Sequence, residues 1–117
     1  MQYLTKEIQE QYRSNQLCLP LRTVVLVLEC LATLYQNKMP DGITITSLYR
    51  PDDKGSYHSV WRAVDIRNRD WTTTFTRVVG PVLSLIRQMD KCIQYEFESD
   101  HLHIEYDNND PLVKGTK

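Results

Sequence analysis

From Ile93 to Tyr106 apolar and polar residues alternate almost without interruption. In CIQYEFE, Ile93, Tyr95 and Phe97 fall on one face and Gln94, Glu96 and Glu98 on the other. Past Ser99-Asp100, HLHIEY puts Leu102, Ile104 and Tyr106 on one face and His101, His103 and Glu105 on the opposite one. A period of two is the signature of a strand with one face buried. Two such runs separated by a turn predict a β-hairpin whose second strand is polar on one side.

Upstream the period changes. Leu21, Val24, Leu28, Leu31 and Tyr35 recur at steps of three and four, which predicts an amphipathic helix. Pro20 suits its first turn, where a missing N–H is no loss, and Asn37 to Gly42 should end it. A second helix is predicted over Phe75, Val78, Val79, Val82, Ile86 and Met89, with Asp70 as its N-cap and a kink or break at Gly80-Pro81. Residues 5–16 predict a short surface helix. Ile43–Ser47 and Ala63–Ile66 read as short strands, and Val64 and Ile66 should face the core while Ala63 and Asp65 face away. Pro51-Asp52-Asp53-Lys54-Gly55 is a loop by composition, and the polar tail from Asn108 should fray. Helices and strands are partly segregated along the chain. The fold class is therefore α+β, a small and mainly antiparallel sheet packed against two longer helices. A chain of 117 residues suits a single domain spanning 1–117.

The formal net charge of −1 gives no bulk electrostatic case for nucleic acid or an anionic membrane. No apolar run approaches the roughly 20 residues of a membrane span. The polar N-terminal stretch MQYLTKEIQEQYRSNQ lacks an apolar signal core, so a protein made in a cytoplasm is expected. Cys18, Cys30 and Cys92 lack CxxC spacing and read as reduced, buried thiols. No histidine lies near any of them in sequence, which argues against a cysteine nucleophile.

All three histidines fall in two polar clusters. The first, within ITITSLYRPDDKGSYHSVWRAVDIR, holds His58 and Asp65 with Arg50 upstream. The second, ESDHLHIE, holds Asp100, His101, His103 and Glu105. A catalytic zinc takes three protein ligands and keeps a fourth position for water. His58, Asp65 and His103 can supply two imidazoles and a carboxylate, and the small Ala63 leaves space beside them. Asp100 and His101 compete for the role of general base. His101 shares a strand face with His103, whereas Asp100 can face the metal only if residues 99–101 turn or bulge. Arg50 suits a substrate carboxylate or a developing oxyanion. Ser56 and Ser47 are candidates to support the ligands. On spacing alone the plainer readings compete. Alternating histidines often mark a solvated face, and Glu105 reads as either a solvated strand residue or a support to a ligand. Trp61 and Trp71 read first as packing residues and second as substrate platforms.

The residues resemble a family. The zinc D-alanyl-D-alanine carboxypeptidases and L-alanyl-D-glutamate endopeptidases carry S-x-x-R, then S-x-H-x-x-G-x-A-x-D. They carry later an acidic residue three before a metal-binding His, often D-H-x-H. The group includes vancomycin-resistance D,D-peptidases and phage endolysins and shares its fold with the Hedgehog signalling domain. This chain reads Ser47-Leu48-Tyr49-Arg50, then Ser56-Tyr57-His58-Ser59-Val60-Trp61-Arg62-Ala63-Val64-Asp65, and later Asp100-His101-Leu102-His103. The match covers two blocks, Ser47–Ile66 and Glu98–Glu105. It implies one zinc ion held by His58, Asp65 and His103, a catalytic Asp100 assisted by His101, and substrate binding by Arg50; Ser56 and Trp61 are the further substrate-binding candidates. It departs from the family at Trp61, where the pattern has Gly. Gly there permits φ > 0 or a close approach, whereas Trp does not readily take that conformation.

What the resemblance implies is a zinc peptidase cutting peptidoglycan stem peptide, phage-encoded and acting at the bacterial cell wall, free or mounted among other virion proteins. The alternative class is a virion structural or binding component that keeps the fold with weak or no catalysis, which Trp61 and the small size motivate. A dipeptidase acting on free D-Ala-D-Ala keeps the chemistry and changes the substrate.

Overall fold

The structure is a computed structural model and describes residues 1–34 and 41–108. Its elements are β1 (Gln2–Tyr3), α1 (Lys6–Arg13), α2 (Leu19–Leu34), β2 (Thr44–Ser47), a 3-10 turn (Tyr57–Val60), β3 (Ala63–Arg67), α3 (Thr73–Met89), β4 (Ile93–Phe97) and β5 (His101–Tyr106). The strands form one sheet in the order β1-β2-β3-β5-β4. Only β1 and β2 run parallel among these pairs, the other three being antiparallel. The fold class is thus α+β, with the expected hairpin at β4 and β5.

One face of the sheet is the core. Ile45, Val64, Ile66, Ile93, Leu102 and Ile104 meet Leu21, Val24, Val25 and Leu28 of α2 and Phe75, Val79 and Leu83 of α3. Each such side chain contributes roughly 1.5–3 kcal/mol on leaving water, so this layer sets which face of every strand is inward. The opposite face of β3 and β5 is then left for polar groups. Loop residues 48–62 fold over it, packing Tyr57 and Val60 against Ala63. Val64 and Ile66 point to the helices, as the alternation predicts, and Asp65 points away from them. It is nevertheless only 5% exposed, because the loop covers it.

Several local expectations need correction. The N-cap of α3 is Thr72, whose hydroxyl accepts from Phe75 N at 3.1 Å, and not Asp70. Of the kink or break expected at Gly80-Pro81, the break is absent: the helix is continuous through Pro81. Pro81 is exposed, so water can take the bond to the carbonyl one turn back that its ring displaces. β1 was not legible: two residues carry no period, and its bonds Gln2 N to Ile43 O (2.7 Å) and Leu4 N to Ile45 O (2.9 Å) are non-local. The cysteines carry free thiols, but Cys30 is exposed and Cys18 and Cys92 are half-buried. Cys30 lies on the outward side of α2, away from the core stripe of Leu21, Val24, Val25 and Leu28. The expected helix end, Tyr35 and Asn37 onward, lies outside the described residues up to Asp41, as does the tail beyond Asn108.

Candidate metal centre

Strand register builds the centre. Asp65 of β3 lies opposite His103 of β5, with Ala63 opposite Glu105 and Arg67 opposite His101. His103 Nδ1 thereby comes to 2.8 Å from Asp65 Oδ1. His58 arrives from the other direction. The 3-10 turn that carries it begins after Ser56 and closes on Tyr57 O, which accepts from Arg62 N at 2.9 Å. Its Nδ1 lies 2.6 Å from Leu48 O. A carbonyl can only accept, so Nδ1 carries a proton and Nε2 is the nitrogen turned toward the other two residues. That Nε2 is buried, makes no hydrogen bond, and faces Asp65 Oδ2 at 3.4 Å. The His58 and His103 rings are 5.3 Å apart between centroids.

The three ligating atoms of His58, Asp65 and His103 all lie within 4.8 Å of one another. A buried imidazole nitrogen without a hydrogen bond, beside a buried carboxylate and a second imidazole, is an arrangement that a cation can complete. The donor set of two imidazoles and one carboxylate suits a divalent ion, so this group could hold a metal. It is the trio expected from the sequence.

The surroundings are charged in a consistent way. Burial pushes the Asp65 carboxyl up, but His103 and His58 beside it outweigh burial and hold it well below the usual carboxylate range. Burial likewise pushes the His103 imidazole down. The hydrogen bonds to Asp65 and Glu105 win, and its pKa is raised to about 9. Both ring nitrogens of His103 face carboxylates, with Nε2 2.8 Å from Glu105 Oε1. Arg50 closes the remaining side: Nη2 donates to Asp65 Oδ2 at 2.8 Å and Nε to Ser47 Oγ at 2.7 Å, and Nη1 lies 3.5 Å from Asp53.

The other expected site residues fall less uniformly. His101 is beside the trio, its Nε2 3.9 Å from Asp65 Oδ1. Asp100 is not: its side chain is 72% exposed and its Oδ1 is bonded to His101 Nδ1 at 2.7 Å. It reaches the centre only through His101, whose contact holds the Asp100 carboxyl below its ordinary range. His101 Nε2 also meets Glu98, a residue outside the set expected from the sequence. The signal for it was present as E-x-x-H, Glu98 to His101. Ser47 supports Asp65 indirectly, through Arg50. The Ser56 hydroxyl is buried and makes no hydrogen bond.

Trp61 corrects an expectation. It does adopt the left-handed conformation, at φ 62° and ψ 33°, as the residue that terminates the 3-10 turn. The bond from Arg62 N back to Tyr57 O is the closure such a left-handed cap makes. Its ring lies flat on Tyr49, centroids 4.5 Å apart and planes within 2°. Trp71 is a packing residue, edge-on to Phe75 at 4.8 Å.

No protein-family model, curated protein or solved structure matches the chain. No helix among the described residues is long and apolar enough to cross a membrane.

Proposed function

We propose that the protein is a zinc peptidase that hydrolyses a bond of the peptidoglycan stem peptide, the activity implied by the resemblance of its two sequence blocks. The observation that carries this reading is the convergence of His58 Nε2, Asp65 and His103 Nδ1 from a loop and two strands, with His58 Nε2 buried and lacking a hydrogen bond. Zinc bound there would polarise a carbonyl and lower the pKa of a bound water towards about 7.

The remaining roles belong to the chain's own side chains. Arg50 is 45% exposed, so its guanidinium is accessible from solvent while tied to Asp65. It is suited to bind a substrate carboxylate or a developing oxyanion. His101 is the group best placed to move a proton, with Asp100 on Nδ1 and Glu98 on Nε2 holding its ring. Asp100, exposed and one residue removed, orients His101 in this reading rather than acting alone. The same exposure favours a second reading, a binding component of a virion that retains the metal without catalysis.

Metal analysis with muropeptide mass spectrometry tests both. About one zinc per chain and cleaved stem peptides are expected from the wild-type protein, with both lost in His103→Ala. Full hydrolysis by a zinc-free His103→Ala protein would refute the peptidase reading. Stoichiometric zinc without hydrolysis would favour the second one.

A further inference from the structure

We infer that Glu105 is a positioning residue: it makes His103 present Nδ1, not Nε2, to the metal. This rests on the metal-binding reading above and adds to it which nitrogen binds and what enforces the choice.

The geometry begins with the strand. Residues 103 and 105 are two apart on β5 and point to the same face. Two residues of strand span about 7 Å, which lets the longer Glu side chain fold back to the far side of the neighbouring ring. Glu105 lies opposite Ala63, whose methyl leaves room for it. The result is an imidazole held at both ends. Nδ1 is 2.8 Å from Asp65 Oδ1 and Nε2 is 2.8 Å from Glu105 Oε1.

Turning that ring by half a revolution about Cβ–Cγ would place carbon atoms against both carboxylates and forfeit both bonds. The Glu105 side chain is only 13% exposed. A buried carboxylate is costly unless a charge-assisted partner meets it, so the contact to Nε2–H is one that Glu105 has strong reason to keep. Asp65 and Glu105 then divide the labour. Asp65 stands with the metal ligands. Glu105 occupies Nε2, which leaves Nδ1 as the nitrogen that faces Asp65 and the centre. His58 is set the other way round, with the Leu48 carbonyl holding Nδ1–H and Nε2 free to ligate. The two histidines therefore offer different nitrogens, each chosen by what its other nitrogen touches.

The test uses the full chain and zinc. Zinc affinity is measured by competition with a chromophoric chelator for the wild type, Glu105→Ala and Glu105→Gln, each first checked for fold by circular dichroism. Long-range proton–nitrogen spectra of the zinc-loaded wild type identify the ligating nitrogens. Glu105→Ala should bind about 10- to 100-fold more weakly, the usual cost of losing such a partner. Glu105→Gln, whose amide oxygen accepts the same bond, should recover most of that loss. The spectra should show zinc on Nδ1 of His103 and Nε2 of His58. Zinc on Nε2 of His103, or wild-type affinity in a folded Glu105→Ala, would overturn the inference and leave the metal reading standing. A wild-type protein that takes up no zinc would overturn the metal reading itself. If Glu105→Ala does not fold, the spectra and the Gln variant decide.

Discussion

Replacing Trp61 separates two things the residue does, and the separation has a predictable sign. At φ 62° a side chain with a Cβ is held in the left-handed region, at a cost of roughly 1–2 kcal/mol. Glycine escapes that cost but gains freedom in the unfolded chain, worth about 0.4–1 kcal/mol against it. Trp61→Gly and Trp61→Ala both lose the stack on Tyr49, so their difference isolates the backbone. The glycine variant should be the more stable of the two by about 0.5–1 kcal/mol. For a chain of this size that is about 2–4 °C in melting temperature. At an ordinary exposed helical position the order would be the reverse, with Gly behind Ala by about 0.5–1 kcal/mol. Thermal unfolding of the two variants, followed by circular dichroism in one buffer, measures the difference directly. An alanine variant that melts at or above the glycine variant would refute the left-handed assignment, and with it the account of why the resembled pattern carries Gly here.

Two further outcomes follow from the site and the fold. In the metal-free protein the pKa of His103 is raised to about 9, above the ordinary value of about 6.5. Its contribution to stability is therefore complete below about pH 6.5 and is lost as pH rises through about 9. Asp65 is shifted the other way, so its contribution is present above about pH 4 and is lost on further acidification. The apoprotein should melt progressively lower between pH 7 and 10, and His103→Gln should flatten that slope; an unchanged slope would refute it. At α3, Thr72→Ala should cost about 0.5–2 kcal/mol in a urea titration, the usual value of an N-cap, while Asp70→Ala should cost much less. Equal losses would contradict the assignment of Thr72 as the cap.

How much of this could be read without coordinates depends on the range of the interaction involved. The strand hairpin and both long helices were legible because their periods of two and of three to four are written locally, and burial of one face enforces them. His103 and Glu105 share a face for the same reason. The N-cap of α3 lies two residues beyond the one the sequence predicts because Thr72 and Asp70 both suit the role by type. Only the backbone geometry at residue 72 distinguishes them.

The positions that define the chemistry were decided at longer range. Alternation says that Asp65 and His103 each face away from the core, but it does not say that they face each other. That follows from the register of β3 on β5, which depends on the whole apolar layer being satisfied at once. The approach of His58 depends on a loop whose course is set by Leu48, Tyr57 and the left-handed turn at Trp61, and a loop has no period to read. Asp100 turns outward, away from the trio, because it lies in the hairpin turn, where the alternation stops. Local pattern thus chose which residues could meet, and tertiary packing chose which of them do.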